Sequence, residues 1–256
     1  MTGEFTKRNP LAPPGFFACE AAGLAWLGAV DRGVPCAQVV SCDETSLTLR
    51  RISSVPPTRE SAREFGARLA VTHDAGAAAF GAAPDGWSGP GFFGPLSHPL
   101  PMSLTPHAWW GEFYADERLT PMAEMAAPRL SPDGRAAVAA VVKHCAAGDF
   151  DTDDGPARLH GDLWSGNVMW TADGATLVDP AAHGGHCETD LAMLTLFGCP
   201  HLGDVLDGYQ SVRRLSPGWE RRVGLHQLYP LLAHVVLFGG SYAGQAESAA
   251  ASALTR

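Results

Sequence analysis

The sequence contains no long apolar run. None of its 256 residues belongs to a stretch that approaches the roughly 18 consecutive apolar residues needed to span a membrane. Residues 1–10 have no apolar core of the kind that a secretory signal carries. These absences argue against a membrane partner, and we expect a cytoplasmic protein.

Basic residues are outnumbered by acidic ones, and C-x-x-C cysteine pairs are absent. The chain has 18 Lys and Arg residues against 27 Asp and Glu residues, which gives a net charge of −9. A nucleic-acid binder would carry a basic stripe, so we expect no nucleic-acid partner. The six cysteines include no C-x-x-C pair, which disfavours zinc and favours free thiols.

Three common catalytic motifs are missing. The sequence has no G-x-x-x-x-G-K-[ST] phosphate loop, no G-x-S-x-G nucleophile elbow and no H-E-x-x-H zinc helix. The chemistry must therefore come from another arrangement of residues.

The most informative stretch is H-G-D-L-W-S-G-N at residues 160–167. Asp162 precedes Asn167 by five residues, and Asp179 follows an apolar hairpin pattern at 168–178. Protein-kinase catalytic loops use the same Asp-to-Asn spacing, followed by a metal-binding Asp. One carboxylate can accept a hydroxyl proton, while an amide oxygen and a second carboxylate can hold Mg²⁺ against a transferred phosphate. The stretch predicts a phosphotransfer centre that uses ATP and Mg²⁺.

Lysine is rare, since Lys7 and Lys143 are the only two in the sequence. Residues 3–8 alternate like a strand, and residues 16–30 have apolar side chains at helical spacing, with Glu20 in the second turn. A strand lysine paired with a helix glutamate positions the ammonium group on nucleotide phosphates in kinase-like enzymes. A solvated glutamate is the plainer alternative, but the catalytic stretch favours the pair.

Two further segments, 37–42 and 46–52, alternate like the strands of a hairpin, and Ser and Pro residues at 53–57 interrupt the pattern. We interpret 53–57 as an inter-lobe hinge, against which an adenine could lie.

The predicted fold is therefore α+β with two lobes. Residues 1–54 form a small antiparallel-sheet lobe that binds nucleotide, and residues 55–256 form a larger, mainly helical catalytic and substrate lobe. The segment 76–106, rich in Gly, Pro and aromatic residues, is expected to form functional loops. His73, on the preceding helical pattern, fits a core or capping histidine better than a catalyst.

These motifs together resemble the fructosamine (ketosamine) kinase family, within the aminoglycoside phosphotransferase and protein-kinase-like superfamily. The match includes D-P-A at 179–181, G-H-C-E-T-D-L-A-M at 185–193 and F-x-x-E-A-x-G-L at 17–24. It continues in Q-L-Y at 227–229 and L-F-G-G-S-Y at 237–242, so it covers nearly the whole chain.

The resemblance implies roles for the central residues. Asp162 would be the catalytic base, and Asn167 and Asp179 would bind magnesium. Lys7 and Glu20 would position the nucleotide.

Three supporting residues follow from the same resemblance. Asp190 would brace the catalytic loop, and His160 would orient it. Trp164 would flank the sugar or simply pack within the protein. The implied substrate is a small sugar-amine or a glycated lysine, phosphorylated at the sugar 3-hydroxyl in a deglycation reaction, and we expect a monomer or weak homodimer.

One departure from the family pattern concerns the N-terminal lobe. In the family, two strands and a glycine-rich loop precede the strand lysine, whereas Lys7 stands six residues from the first residue here. The expectation is a truncated sheet lobe: either the true start lies upstream, or this chain is a degenerate member of the family with weakened ATP binding. Two alternative functions stay open: an aminoglycoside or other amino-alcohol phosphotransferase, and a catalytically weakened kinase-like binding protein.

Overall fold

Short strands and longer helices make up the protein, whose computed structural model describes residues 3–255. The strands in this range are β1 (Glu4–Arg8), β2 (Val39–Cys42), β3 (Ser46–Arg50), β4 (Gly91–Phe93), β5 (Leu100–Met102), β6 (Ala157–Leu159), β7 (Val168–Thr171), β8 (Gly174–Leu177) and β9 (His183–Gly185). The α-helices in this range are α1 (Phe16–Gly28), α2 (Arg59–Asp74), α3 (Trp110–Phe113), α4 (Thr120–Ala126), α5 (Pro132–Ala146), α6 (Glu188–Leu196), α7 (Leu202–Val212), α8 (Trp219–Phe238) and α9 (Ala243–Leu254). A π-helical turn, Tyr114–Leu119, joins α3 to α4.

The N-terminal sheet is antiparallel, with β3 between β1 and β2. Alternation along β3 places Leu47 and Leu49 in one buried cluster with Phe17 and Leu24 of α1. The predicted strand, helix and hairpin in this region are confirmed, although α1 ends at Gly28 rather than at residue 30.

The segment 53–57, interpreted from the sequence as an inter-lobe hinge, lies in a stretch without helix or strand. Residues 51–58 have no regular secondary structure, and the N–H of Val55 donates to the carbonyl oxygen of Trp170 at 2.8 Å. Helix α2 then begins with a capping box. The Thr58 hydroxyl accepts from the N–H of Ser61, and the Ser61 hydroxyl accepts from the N–H of Thr58.

The β7–β8 hairpin is attached directly to the N-terminal unit. The N–H of Ala37 donates to the carbonyl oxygen of Leu177 at 2.9 Å, and the N–H of Leu177 donates to that of Pro35 at 2.8 Å. Asp179 follows two residues after this attachment. The chain therefore enters the predicted site beside the N-terminal sheet.

The segment 76–106 contains a hairpin that the sequence did not predict. Strands β4 and β5 pair antiparallel, with Phe92 opposite Pro101. Proline in β5 and the short length of both strands hide the alternation that identifies a hairpin in sequence.

The C-terminal part is mainly helical, as predicted. Helices α3, α4, α5, α8 and α9 share one large apolar core with the β4–β5 hairpin. Helices α2, α6 and α7 enclose a second core with β6, β7 and β8. In the part of the chain that the structure describes, no helix combines the length and apolar character needed to cross a membrane.

Two glycines allow α2 and α7 to cross in close contact. A Cβ atom added to Gly208 would lie 1.9 Å from the carbonyl oxygen of Arg63, and one added to Gly66 would lie 1.9 Å from that of Val205. Because these neighbours are backbone atoms, they cannot move aside cheaply. The crossing positions Tyr209 of α7, which contacts the functional site described below.

Replacement of Gly208 by Ala is expected to lower the free energy of unfolding by at least about 2 kcal/mol, because the added methyl overpacks the helix crossing. Gly203→Ala on the same helix is the matched control, since a Cβ atom there meets nothing within 4 Å. It should leave stability unchanged or slightly raised, because Ala favours helix over Gly. Urea unfolding of both variants measures the difference, and equal stabilities would contradict the role of the crossing.

Candidate functional site

Asp190 holds the predicted catalytic loop, residues 160–167, through two backbone hydrogen bonds. It lies in the first turn of α6 and is almost fully buried. Its two carboxylate oxygens accept from the N–H groups of His160 at 2.8 Å and Gly161 at 2.9 Å. Gly161 has φ +82°, and a Cβ atom there would lie 2.1 Å from the carbonyl oxygen of Ala181. Only glycine fits at this turn, and Asp190 stands where a bracing residue is predicted.

A further partner of Asp190 was missed by the sequence analysis. Nε2 of His73 lies 3.2 Å from Asp190, and Nδ1 of His73 lies 2.8 Å from the hydroxyl of Tyr209. Burial by itself would raise the pKa of Asp190, but its contacts with His73, the nearby His160 ring and the N–H of Gly161 lower the pKa below the ordinary value of 3.8. Helical periodicity identifies His73 as buried, but it cannot identify a partner 117 residues away.

The ring of His160 connects the catalytic loop to the chain after β8. Its Nδ1 accepts from the N–H of Asp162 at 3.2 Å, so Nε2 carries the proton and donates to the carbonyl oxygen of Val178 at 2.9 Å. Burial lowers the pKa of His160, although the charge of Asp190 opposes this change. A neutral ring with both nitrogens engaged is suited to orienting the loop.

Asp162 and Asn167 lie side by side. The side-chain amide of Asn167 donates to the backbone carbonyl of Asp162 at 2.8 Å and to its carboxylate at 3.2 Å. Burial raises the pKa of Asp162 to about 7, the charges of Asp179 and Asp190 add to this rise, and the hydrogen bond from Asn167 opposes it. Near neutral pH the carboxyl group can therefore take up or release a proton.

Lys7 is held between two carboxylates. Its ammonium group donates to Glu20 at 2.6 Å and also contacts Asp179. Burial and the charge of Asp179 raise the pKa of Glu20, whereas Lys7 lowers it. The structure thus brings a lysine of β1 together with a glutamate of α1, as the spacing predicted.

Asp179 has a backbone conformation that is uncommon for residues other than glycine. Its φ is +56°, in the left-handed region, and its side chain is 46% exposed. The N–H of the preceding Val178 donates to the carbonyl oxygen of Asn167 at 3.1 Å. Such conformations concentrate at functional sites, where surrounding contacts maintain them.

Three cavities lie next to one another at these residues. The sheet cavity, about 330 Å³, has apolar walls formed by residues such as Ala37, Leu49, Ile52, Met169 and Val178. The central cavity, about 350 Å³, contains the side chains of Lys7, Glu20, Asp162, Asn167 and Asp179. The aromatic cavity, about 320 Å³, is bordered by Trp164, Phe197, His234, Phe238 and Tyr242.

Shared residues fix the order of the cavities. Lys7 and Asp179 border both the sheet and central cavities, whereas Asp162, Trp164 and Gly94 border both the central and aromatic cavities. The central cavity, with its acidic residues, therefore lies between the sheet cavity and the aromatic cavity.

Trp164 stands at the junction with the aromatic cavity. Its side chain is partly exposed and meets the ring of Phe197 edge-on, at a centroid distance of 6.3 Å. A Cβ atom on Gly166 would lie 2.2 Å from the indole ring, so a side chain there would displace Trp164 from this position. Trp164 thus packs on Phe197 and also lines both cavities, and a contact with a sugar stays a prediction.

The central cavity suits a hard divalent cation. Carboxylate and amide oxygens are the ligands that Mg²⁺ prefers, and Asp162, Asn167 and Asp179 all line this cavity. The amide nitrogen of Asn167 is engaged with Asp162, so its oxygen is the atom that can serve a cation.

A second group of metal-type ligands lies elsewhere. The ligand atoms of His186, Glu188 and His226 lie within 4.8 Å of one another and are buried. However, the guanidinium group of Arg222 donates to both oxygens of Glu188, at 2.5 and 2.8 Å. This positive charge already balances the carboxylate, so we assign no metal to the group.

Comparison with solved structures defines the class of protein. A crystal structure of a thermostable aminoglycoside phosphotransferase APH(4)-Ia mutant, in ternary complex with AMP-PNP and hygromycin B, superposes with a TM-score of 0.60 at 18% identity. The match covers 100% of this chain and 88% of that one. The chain therefore has the fold of the kinase-like phosphotransferases.

Closer relatives define the family. The family model described as fructosamine kinase matches residues 3–256. A protein of Synechocystis sp. named "probable ketoamine kinase" is 33% identical over 249 residues, which cover 95% of this chain and 80% of that protein. A crystal structure from Thermobifida fusca, provisionally described as a fructosamine-3-kinase, has a TM-score of 0.90 and 45% identity, covering 100% of this chain and 86% of that one. The chain belongs to the fructosamine kinase family and is a phosphotransferase.

Replacement of Asp162 by Asn is expected to raise the melting temperature at pH 8. The pKa of Asp162 is raised from 3.8 to about 7 in the folded protein. The stability that this shift contributes is complete below about pH 4 and is lost as the pH rises through about 7. Asn does not titrate, so its advantage over the wild type should grow between about pH 4 and pH 7 and then level off.

Scanning fluorimetry of the protein without nucleotide or metal, from pH 4 to pH 8, measures this effect. The exposed Asp173 provides the control, because Asp173→Asn should not reproduce the pH-dependent gain. A melting temperature for Asp162→Asn at or below that of the wild type at pH 8 would show that the charge of the half-buried Asp162 is not destabilising.

Proposed function

We propose that the protein transfers the γ-phosphoryl group of ATP to the 3-hydroxyl of a ketosamine, a ketose joined to an amine. The observation that carries this proposal is the order of the three cavities. The sheet cavity would hold the adenine, the central cavity the phosphates and metal, and the aromatic cavity the sugar. Asp162 lies between the central and aromatic cavities.

The sheet cavity is suited to the adenine ring. Its apolar walls come from both the N-terminal sheet and the β7–β8 hairpin, and it is bordered by Arg50, Arg51 and Ile52. These residues directly precede the 53–57 segment against which the adenine was expected. We propose that residues 3–54 act as the nucleotide lobe and residues 55–255 as the catalytic and substrate lobe. The outermost residues of the predicted lobes, 1, 2 and 256, lie outside the described part of the chain.

Lys7 would bind the phosphates of the nucleotide. Its ammonium group lies at the boundary of the sheet and central cavities, and Glu20 holds it there at 2.6 Å. Contact between Lys7 and Asp179 keeps the acidic centre partly neutral.

Asn167 and Asp179 would hold Mg²⁺, which would neutralise charge on the phosphates. Asp179 has a partly exposed carboxylate and Asn167 an amide oxygen, both on the central cavity.

Asp162 would act as the general base. It borders both the central and the aromatic cavity, where it can accept the proton of an acceptor hydroxyl. A pKa of about 7 lies close to the usual operating pH, which is where general bases are most effective. His160 and Asp190 would position Asp162 through the loop backbone without contacting the substrate.

The aromatic cavity favours a ketosamine over an aminoglycoside. Aromatic faces such as those of Trp164 and Tyr242 suit the apolar faces of a sugar ring, whereas the polycationic aminoglycosides require several carboxylates. Among the described residues that line this cavity, Asp162 is the only carboxylate. This lining supports a sugar carrying a single amine substituent, including glycated lysine.

The expected result of a substrate panel is ATP-dependent phosphorylation of a fructosyl-amine and little or no turnover of aminoglycosides, measured by ADP release. Asp162→Asn should lower kcat by roughly 10²- to 10⁴-fold while preserving the fold, because it removes the base. The kcat/KM of the wild type should fall as the pH drops below about 7, since protonation of Asp162 removes the acceptor for the hydroxyl proton.

Preferred turnover of aminoglycosides would replace the ketosamine proposal with the first alternative. Full activity in Asp162→Asn would remove the proposed base, and the absence of any ATP-dependent thermal shift would favour a binding protein.

Replacement of Asp179 by Asn is expected to weaken magnesium-dependent nucleotide binding by roughly tenfold or more, because it removes one negative charge from the proposed ligand set. Asn167→Ala should act in the same direction. The measurement is the nucleotide-induced shift in melting temperature across a magnesium titration, which does not depend on turnover. Asp173→Asn serves as the control, and an unchanged magnesium dependence in Asp179→Asn would refute the metal assignment.

A further inference from the structure

The tip of the β4–β5 hairpin forms a wall between the central and aromatic cavities. Gly94, the residue after β4, borders both cavities. The next residue, Pro95, borders the aromatic cavity, and Leu96 borders the central one. Gly94 is therefore the residue of this tip that faces both cavities.

Contacts with both lobes hold this wall in place. The ring of Phe92 packs edge-on against Phe16 of α1 at a centroid distance of 5.4 Å, and the ring of Phe93 packs against Tyr229 of α8 at 5.1 Å. The side-chain amide of Asn9 donates to the carbonyl oxygen of Leu96 at 2.8 Å. Adjacent residues are therefore anchored on different elements, Phe92 on α1 and Phe93 on α8.

Gly94 is the position where a side chain would change the aromatic cavity. Its φ of +97° lies in the region that favours glycine, and an added Cβ atom would lie 3.1 Å from Cδ1 of Leu237. Leu237 borders the aromatic cavity and is absent from the described lining of the central cavity. A side chain at position 94 would therefore project toward the aromatic cavity, where the acceptor is proposed to bind.

We propose that Gly94 is a specificity-determining residue for the acceptor. The lack of a side chain there keeps the aromatic cavity open between the hairpin tip and α8, so that a ketose ring can bring a hydroxyl group to Asp162. This inference rests on the proposed function, since it takes the aromatic cavity to be the sugar site. It assigns to Gly94 an effect on the acceptor that is separate from nucleotide binding.

The first test replaces Gly94 by Ala and measures KM for the fructosyl-amine and for ATP. We expect the acceptor KM to rise about tenfold or more and the ATP KM to stay within about twofold. Gly86→Ala is the matched control, because Gly86 also has a positive φ, +79°, and lies in the same 76–106 segment, but a Cβ atom there meets nothing within 4 Å. This control accounts for the backbone strain that any alanine would introduce.

The second test removes the group that the new methyl would meet. Adding Leu237→Ala to Gly94→Ala should bring the acceptor KM back toward the value of the Leu237→Ala single variant. A double variant in which the two effects simply add would place the methyl elsewhere and overturn the proposed contact.

Titration calorimetry of fructosyl-amine binding provides a readout that does not need turnover. Weaker binding to Gly94→Ala than to Gly86→Ala supports the proposal. Equal acceptor binding and equal acceptor KM in these two variants, or a change confined to the ATP KM, would overturn it. If the wild type phosphorylates aminoglycosides instead, the proposed function fails, and the same comparison with an aminoglycoside as acceptor decides the role of Gly94.

Discussion

The buried carboxylate of Asp190 is the group on which the geometry of the site depends. A charge in the interior is tolerated only when hydrogen bonds replace its hydration. Asp190 obtains these bonds from His160 and Gly161 of the catalytic loop and from His73 of α2. Helix α6, the catalytic loop and α2 must therefore keep fixed relative positions, and Tyr209 extends the same constraint to the tightly packed helix α7.

Several acidic side chains lie close together in the central cavity. Glu20, Asp162 and Asp179 line one cavity, where Lys7 provides the compensating ammonium group. The raised pKa values of Glu20 and Asp162 reflect burial together with this crowding. Such an arrangement disfavours the fold, and under the proposed function it would prepare the cavity for a cation, a compromise between stability and activity that functional sites commonly show.

The division of the site into successive cavities arises from contacts between distant parts of the chain. The N-terminal sheet reaches the β7–β8 hairpin through the hydrogen bonds of Ala37 and Leu177. The β4–β5 hairpin reaches both lobes through Phe92 and Phe93. These two connections place the sheet cavity, the central cavity and the aromatic cavity next to one another.

The sequence by itself determined the local elements and the chemistry of the central residues. Strand alternation, helical spacing and the Thr58 cap act over a few residues, and the spacing from Asp162 to Asn167 predicted the centre. Tertiary structure decided the partner of His73, the pKa of Asp162 and the wall at Gly94. Each of these depends on packing between residues far apart in the chain, and local periodicity carries no information about which distant groups will meet.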